Sequence, residues 1–373
     1  VLAIFGFFKI IVLMRLIILI LLAPISFIQG QYIFTPDFDV KCTTVKSQDR
    51  TGTCWSFATT SFLESELIRL GKGELDLSEM YIVRNIYIQK AVNYVLRQGK
   101  ANFSQGSLAH DQLQAMENYG LIPDIYYFGN KLNDKHDHNE MEKALKGFLD
   151  GVIANNSPSP KWLPAFKAIL DVYLGEVPDS FEYNRKSYTP ESFAEELGLN
   201  QQAFIGITSF NHHPYNTSFI LEIPDNFSNG SYYNVTLDDL LQITYDALES
   251  GFTISWDGDV SEKTFNARKG LAVLPAEADG GEAMESPVQE AKVDAAFRQT
   301  AFNNYSTTDD HLMHIVGTAR DQHGNRYFKV KNSWGEISDY KGFLYMSEAY
   351  FKAKTISIYL NKDAVAPNYL VNR

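Results

Sequence analysis

After Cys54, the apolar residues Phe57, Phe62, Leu63, Leu67 and Leu70 recur at the three-and-four spacing of one helical face, and Gly71-Lys72-Gly73 supplies a stop. Leu77-Ser78-Glu79 opens a second predicted helix, through about Leu96. Ser78 is its N-cap, since a serine oxygen can accept from the free N–H groups of a first turn. A third helix is expected over residues 108–119, ending at Gly120 ahead of Pro123. Residues 140–149 and 164–174 also read as helices, separated by an Asn/Ser/Pro linker over residues 155–160.

The second half of the chain carries strand patterns. Phe204-Ile205-Gly206-Ile207-Thr208 and Thr253-Ile254-Ser255-Trp256 are apolar, β-branched runs, with a Tyr/Asn-rich hairpin region and a helix over about residues 237–249 between them. The Gly/Ala/Glu-rich residues 269–287 read as a surface loop, and residues 289–314 as a helix leading into a strand. The last clear pair of strands is Asp310-His311-Leu312-Met313-His314-Ile315-Val316-Gly317 and Tyr327-Phe328-Lys329-Val330-Lys331-Asn332-Ser333-Trp334-Gly335. The polar turn Arg320-Asp321-Gln322-His323-Gly324-Asn325 joins them as a hairpin.

Composition narrows the class. A chain of 373 residues that is 45% hydrophobic and 21% charged can bury a sizeable core. Its formal charge of −12 becomes −14 once the first thirty residues, which hold Lys9 and Arg15 and no acid, are set aside. No basic stripe is present, so no nucleic-acid partner is expected. At the start, Met14-Arg15 opens an apolar run over residues 16–23, followed by Pro24 and a stretch ending at Gly30. That is the charged start, apolar centre and small residue of an export signal, read here as beginning at Met14 and cut near Gly30. The expected location is periplasmic or extracellular, with membrane contact only through that segment, because Lys9, Arg15 and Pro24 interrupt the run and residues 16–28 are short for a span.

The candidate chemistry centres on Gln48-Asp49-Arg50-Thr51-Gly52-Thr53-Cys54-Trp55-Ser56-Phe57-Ala58. A cysteine that opens a helix meets unpaired N–H groups and the positive end of the helix dipole, both of which favour a thiolate. Gln48, six residues upstream, can return its amide beside the sulfur as one donor of an oxyanion hole. A thiolate needs a proton acceptor, and the hairpin can hold a histidine on one strand beside Asn332 on the next, with Trp334 as a roof. His311 and His314 compete for that place. Three residues apart on a strand, they face opposite sides, so only one can face a cleft. Of the two cysteines, only Cys42 is left to pair with Cys54, so a nucleophilic Cys54 excludes a disulfide framework and leaves Cys42 a buried or half-buried free thiol. His136 and His138 stand in a charged turn and read as solvated surface, and His212 and His213 as structural loop residues; no metal site or cofactor is expected. The Asn-x-Ser/Thr sequons at Asn226, Asn229 and Asn234 lie in an Asn-rich loop and are weak glycosylation signals.

The Gln-x5-Cys-Trp-Ser-Phe-Ala run, the His-Ile-Val-Gly strand and the Lys-Asn-Ser-Trp-Gly strand, in that order, resemble the papain superfamily of cysteine peptidases. Leu77-Ser78-Glu79-Met80-Tyr81, Tyr119-Gly120-Leu121-Ile122-Pro123, Tyr188-Thr189-Pro190-Glu191-Ser192-Phe193, residues 211–215 and residues 247–257 are similar to its bleomycin hydrolase and aminopeptidase C branch. The resemblance covers about residues 45–362. It implies an α+β, papain-like fold, with a helical half, a β-barrel-like half, the active-site cleft between them, and a helical insertion at about residues 126–201. It implies Cys54 as nucleophile, His314 as proton shuttle by the match to His-apolar-x-Gly, Asn332 as orienting residue, and Gln48 with the Cys54 backbone N–H for the oxyanion.

The implied activity is hydrolysis of peptide substrates by an aminopeptidase. A C-terminal arm, about residues 363–373, would fill part of the cleft, and the assembly would be a homo-oligomer, usually a hexamer. Two departures weigh against a full transfer: the arm ends in Arg373 where the family has small apolar residues, and an export signal is unlike the intracellular members. An endopeptidase of the same fold is the nearest alternative. A catalytically silent binding or scaffold protein is another, which the presence of all four site residues disfavours.

Overall fold

The computed structural model describes residues 31–370 apart from 133, 156, 278 and 279. The expected export segment and the last three residues of the C-terminal arm therefore lie outside the described residues. Strand β1 (Thr35–Asp39) leads into helices α1 (Cys54–Arg69), α2 (Glu79–Leu96) and α3 (Ala109–Tyr119), the helical half that the apolar spacing predicts. Phe57, Phe62, Leu63 and Leu67 are buried as expected, whereas Leu70 lies past the last helical residue and is exposed. Ser78 caps α2, its hydroxyl accepting from the Tyr81 N–H at 3.0 Å. Gly120 ends α3 with φ +78°, and a Cβ there would fall 2.1 Å from the Pro190 carbonyl carbon. The close approach of the two segments thus requires glycine.

The insertion carries α4 (Asn139–Ala154) and α5 (Trp162–Leu174), then the β2–β3 hairpin (Phe181–Tyr183, Lys186–Tyr188) and α6 (Pro190–Leu197). Met141, Leu145 and Leu149 of α4, and Phe166, Leu170 and Leu174 of α5, enter the same core cluster as α1 and α2. Ahead of α4, His136 and His138 are buried, not solvated. The Asp49 carboxylate accepts from the His136 N–H at 3.1 Å, the Arg50 N–H donates to the His136 carbonyl at 3.0 Å, and Arg50 bridges to Asp137. The insertion thereby buttresses the turn that carries Cys54.

The β half is built from β4 (Phe204–Thr208), β5 (Thr217–Ile220), β6 (Ser231–Asn234), helix α7 (Leu237–Glu249), β7 (Ile254–Gly258), β8 (Phe265–Asn266), β9 (Leu271–Ala272), the short α8 (Gly280–Ala283), α9 (Ala295–Asn303), β10 (His311–Arg320), β11 (Arg326–Lys331), β12 (Phe343–Ser347), α10 (Glu348–Lys354) and β13 (Thr355–Asn361). These strands form one sheet in the order β5-β6-β4-β13-β7-β10-β11-β12-β9-β8, with β1 also paired to β10. The path is open: among the described residues the strands do not close into a barrel. Leu271 and Ala272 are buried strand residues and Val273 after them is buried too, so the expected surface loop over residues 269–287 is part core. Gly317 admits β1, since a Cβ there would sit 2.3 Å from the Phe38 carbonyl oxygen. Among the sequon asparagines of the Asn-rich loop, Asn234 is fully buried and Asn226 nearly so, each donating to backbone carbonyls, so in the folded chain both are closed to a glycan. Tyr369 and Leu370 of the C-terminal arm pack on the cluster that contains α7.

Candidate active site

Cys54 is the first residue of α1 and is buried, and α1 lies against β10. The turn before it is held by its own side chains: Thr51 Oγ1 donates to the Gln48 carbonyl at 2.8 Å, and Gln48 Nε2 donates to the Thr51 carbonyl at 2.6 Å. Trp55 Nε1 donates to the Gln105 carbonyl at 2.9 Å, and the Gly52 N–H to Gln105 Oε1 at 2.7 Å. The hairpin strand carrying Asn332 is fastened to this turn. The Gln48 N–H donates to the Ser333 carbonyl at 2.8 Å, and Ser333 Oγ donates to Gln48 Oε1 at 2.6 Å.

The histidine beside Asn332 is His311, not His314. His311 Nε2 lies 2.8 Å from Asn332 Oδ1, and Oδ1 also accepts the Ser333 N–H at 2.7 Å. An amide oxygen only accepts, so His311 carries its proton on Nε2 and leaves Nδ1 with the lone pair. Trp334 covers this ring, with centroids 4.8 Å apart and planes at 35°, and Phe265 meets Trp334 edge-on.

His314 faces the other way, into α1. Its Nδ1 takes the Ser61 hydroxyl at 2.8 Å, and Lys331 Nζ donates to that same oxygen at 2.7 Å. It is completely buried, edge-on to Phe62. The assignment of His314 rested on its spacing to a glycine. That glycine answers the close approach of β1, and alternation along the strand then puts His311 at the Asn332 side.

Electrostatics refines the expectation for the sulfur. Burial pushes the Cys54 thiol up to about 12, while the Leu312 and Trp55 backbone N–H groups favour the thiolate and Asp309 and Asp225 oppose it. Burial brings His311 down to about 4, against the pull of its bond to Asn332. Desolvation therefore outweighs the helix N-terminus in the resting site. Burial thus disfavours both the thiolate and the imidazolium, and a thiolate arises when the thiol proton moves to a base. His314 is held far below the usual histidine value by burial and by Lys331, so it stays neutral.

Beside Asn332 lies a cavity of about 20 Å³, lined by Phe57 and Leu312 and by the charged or polar Lys46, Glu64, Glu79, His314 and Lys331 among others. Lys46 Nζ sits 3.0 Å from Glu79, and Glu64 accepts the Leu77 N–H at 2.9 Å. None of these buried charges stood out in the sequence. The same holds for three carboxylates on the other side. Burial raises Asp257 on β7 to about 7, against its hydrogen bonds with Asp309 and Ser357; Asp309, just before β10, is raised well above the usual carboxylate value by burial and then by Asp257 and Asp225; and Asp225 is raised mainly by burial despite Lys90. Only Asp309, two residues before His311, had a visible signal. Both cysteines are free, with Cys42 half-buried as expected.

The sequence profile of the peptidase C1-like family matches residues 172–372, more than half of the chain. The chain belongs to that family. It is a cysteine-type peptidase, and the curated relatives it matches are bacterial aminopeptidases. It is 22% identical over 384 residues to aminopeptidase C of Lactococcus lactis subsp. cremoris, covering 90% of this chain and 85% of the relative. Similarity to aminopeptidase G of Lactobacillus delbrueckii subsp. lactis is 23%, over 86% of this chain and 82% of the relative, and to aminopeptidase E of Lactobacillus helveticus 24%, over 88% and 83%. In fold it resembles PepW from Lactobacillus rhamnosis HN001, with a TM-score of 0.71 at 18% identity, covering 90% of this chain and 83% of that one.

Proposed function

We propose that this chain is a thiol-dependent aminopeptidase working through Cys54, His311 and Asn332. The observation that carries the reading is the His311–Asn332 bond on the strand whose next N–H, that of Leu312, reaches the sulfur of a cysteine at a helix N-terminus, because it fixes the tautomer whose free Nδ1 can take a thiol proton. In the first step that proton passes to Nδ1 while the sulfur attacks the substrate carbonyl carbon. The carbonyl oxygen becomes an oxyanion, facing the Cys54 backbone N–H and the second N–H of Gln48 Nε2, whose first is spent on Thr51. His311 then returns the proton to the leaving amine, and the C–N bond breaks to give a thioester. Water, deprotonated by His311, hydrolyses it and restores the thiol.

Preference for a free N-terminus is supported by the names of the relatives and by charge. Asp309 and Asp225 act on the Cys54 thiol, and with Asp257 these three carboxyl groups outnumber the buried cations that act with them among the described residues, Lys90 beside Asp225 and Arg298 beside Asp257. A substrate ammonium would complete that balance. Hydrolysis of a fluorogenic amino-acid amide, run beside an N-terminally blocked peptide, tests the reading. The free-amine substrate alone is cut, and Asp309→Asn narrows the preference; equal cutting of both substrates overturns the aminopeptidase assignment.

A further inference from the structure

The loop after β4 holds a cluster that the chemistry around Cys54 does not use. His212 Nε2 lies 3.2 Å from Glu222 Oε2, and His213 Nε2 lies 2.6 Å from Glu222 Oε1. One ligand atom from each of the three residues lies within 4.8 Å of the others. Around a tetrahedral ion with ligands at about 2.0–2.1 Å, neighbouring ligand atoms are roughly 3.3 Å apart. The His212–Glu222 pair is already at that separation, and His213 needs to withdraw by less than about 1 Å. The three side chains are 30%, 33% and 52% exposed, so an ion can enter from solvent and keep a water ligand.

What surrounds the cluster holds it in place. Phe302 stacks on His212 with planes at 20°, and Phe219 on His213 with centroids at 4.1 Å. Asn234, fully buried, donates from Nδ2 to the His213 and Pro214 carbonyls and pins the loop that carries both rings. Gln299 of α9 stands behind His212, its Nε2 at 3.1 Å and its Oε1 at 3.3 Å from Nδ1. It can therefore serve either tautomer. When Nε2 gives up its proton to take a metal, Nδ1–H finds an acceptor in Oε1, the arrangement by which outer partners fix ligating imidazoles.

We propose that His212, His213 and Glu222 form a site for a divalent transition-metal ion of the Zn2+ type, with solvent as the fourth ligand. Two imidazoles and one carboxylate suit such an ion better than Mg2+ or Ca2+, which require mostly oxygen. The ion ties the loop after β4 to the β5–β6 connection, and through Gln299 to α9, the helix that precedes His311 in the chain.

The test is calorimetric titration of Zn2+ into the full chain, stripped of metal and with both thiols alkylated so that Cys42 and Cys54 take no part. Co2+ serves as a second probe, whose visible absorption reports tetrahedral nitrogen and oxygen ligation. One equivalent of Zn2+ binds. Glu222→Gln, a replacement of the same shape at an exposed position, and His213→Ala each weaken binding at least about tenfold, and Gln299→Ala weakens it roughly 10- to 100-fold with all three ligands intact. Absence of stoichiometric uptake by the wild-type chain, or uptake unchanged in Glu222→Gln, overturns the proposal and leaves two ordinary histidine–carboxylate hydrogen bonds.

Discussion

Replacing Asn332 by alanine strikes the bond that sets the base. In the wild-type chain His311 Nε2–H donates to Asn332 Oδ1 at 2.8 Å beneath Trp334, and the ring is 3% exposed, so water does not readily replace that acceptor. Leaving a buried N–H without a partner costs about 1–3 kcal/mol. Where the transition state bears that cost in full, kcat/KM falls roughly 5- to 150-fold. Asn332→Asp keeps an acceptor at the same place and recovers most of the loss. The assay is steady-state hydrolysis of an amino-acid amide, with thermal melts to show that each variant folds. An orienting role works through the ring, so removing Asn332 adds little in a His311→Ala background, a non-additivity that a purely structural residue does not show. A folded Asn332→Ala with unchanged kcat/KM refutes the orienting role.

Two further outcomes follow from the geometry. Gln48→Ala removes the proposed side-chain oxyanion donor, so kcat drops about 10²-fold with little change in KM, and an unchanged kcat in stopped assays at saturating substrate removes Gln48 from the hole. His138 is buried and brought from 6.5 down to about 3 by desolvation and by His136, so the unfolded chain binds its proton first as pH falls. The stability this histidine permits is fully present above 6.5 and is lost toward about 3, amounting to roughly 2–3 kcal/mol by about pH 4.5. Urea melts across that range show a shallower acid loss in His138→Gln than in wild type, and parallel curves contradict the linkage.

Helices were the legible part of this fold. Ser78, Gly120 and the apolar spacing after Cys54 act locally, so α1, α2 and α3 lie within a residue or so of where their caps put them. The hairpin of β10 and β11 was equally plain, because a polar turn between two apolar runs is itself local. What escaped depends on contacts distant in sequence. His136 and His138 look solvated until the turn before Cys54 folds over them, and residues 269–287 look like a loop until β9 finds β12. The histidine was the instructive miss: strand alternation states that His311 and His314 face opposite sides, yet only the register of β10 against β11 says which side holds Asn332.

The roles of His311 and His314 are separated most directly by kcat/KM of His311→Ala and His314→Ala measured side by side on one amino-acid amide. The His311 variant loses at least about 10³-fold while remaining folded, as expected when the general base of a nucleophilic triad is removed. His314→Ala, which empties a buried position against Ser61 and Phe62, loses about 2–4 kcal/mol of stability and keeps kcat/KM within about tenfold. A folded His311→Ala that turns over at the wild-type rate, with activity lost in a folded His314→Ala, removes His311 as the general base.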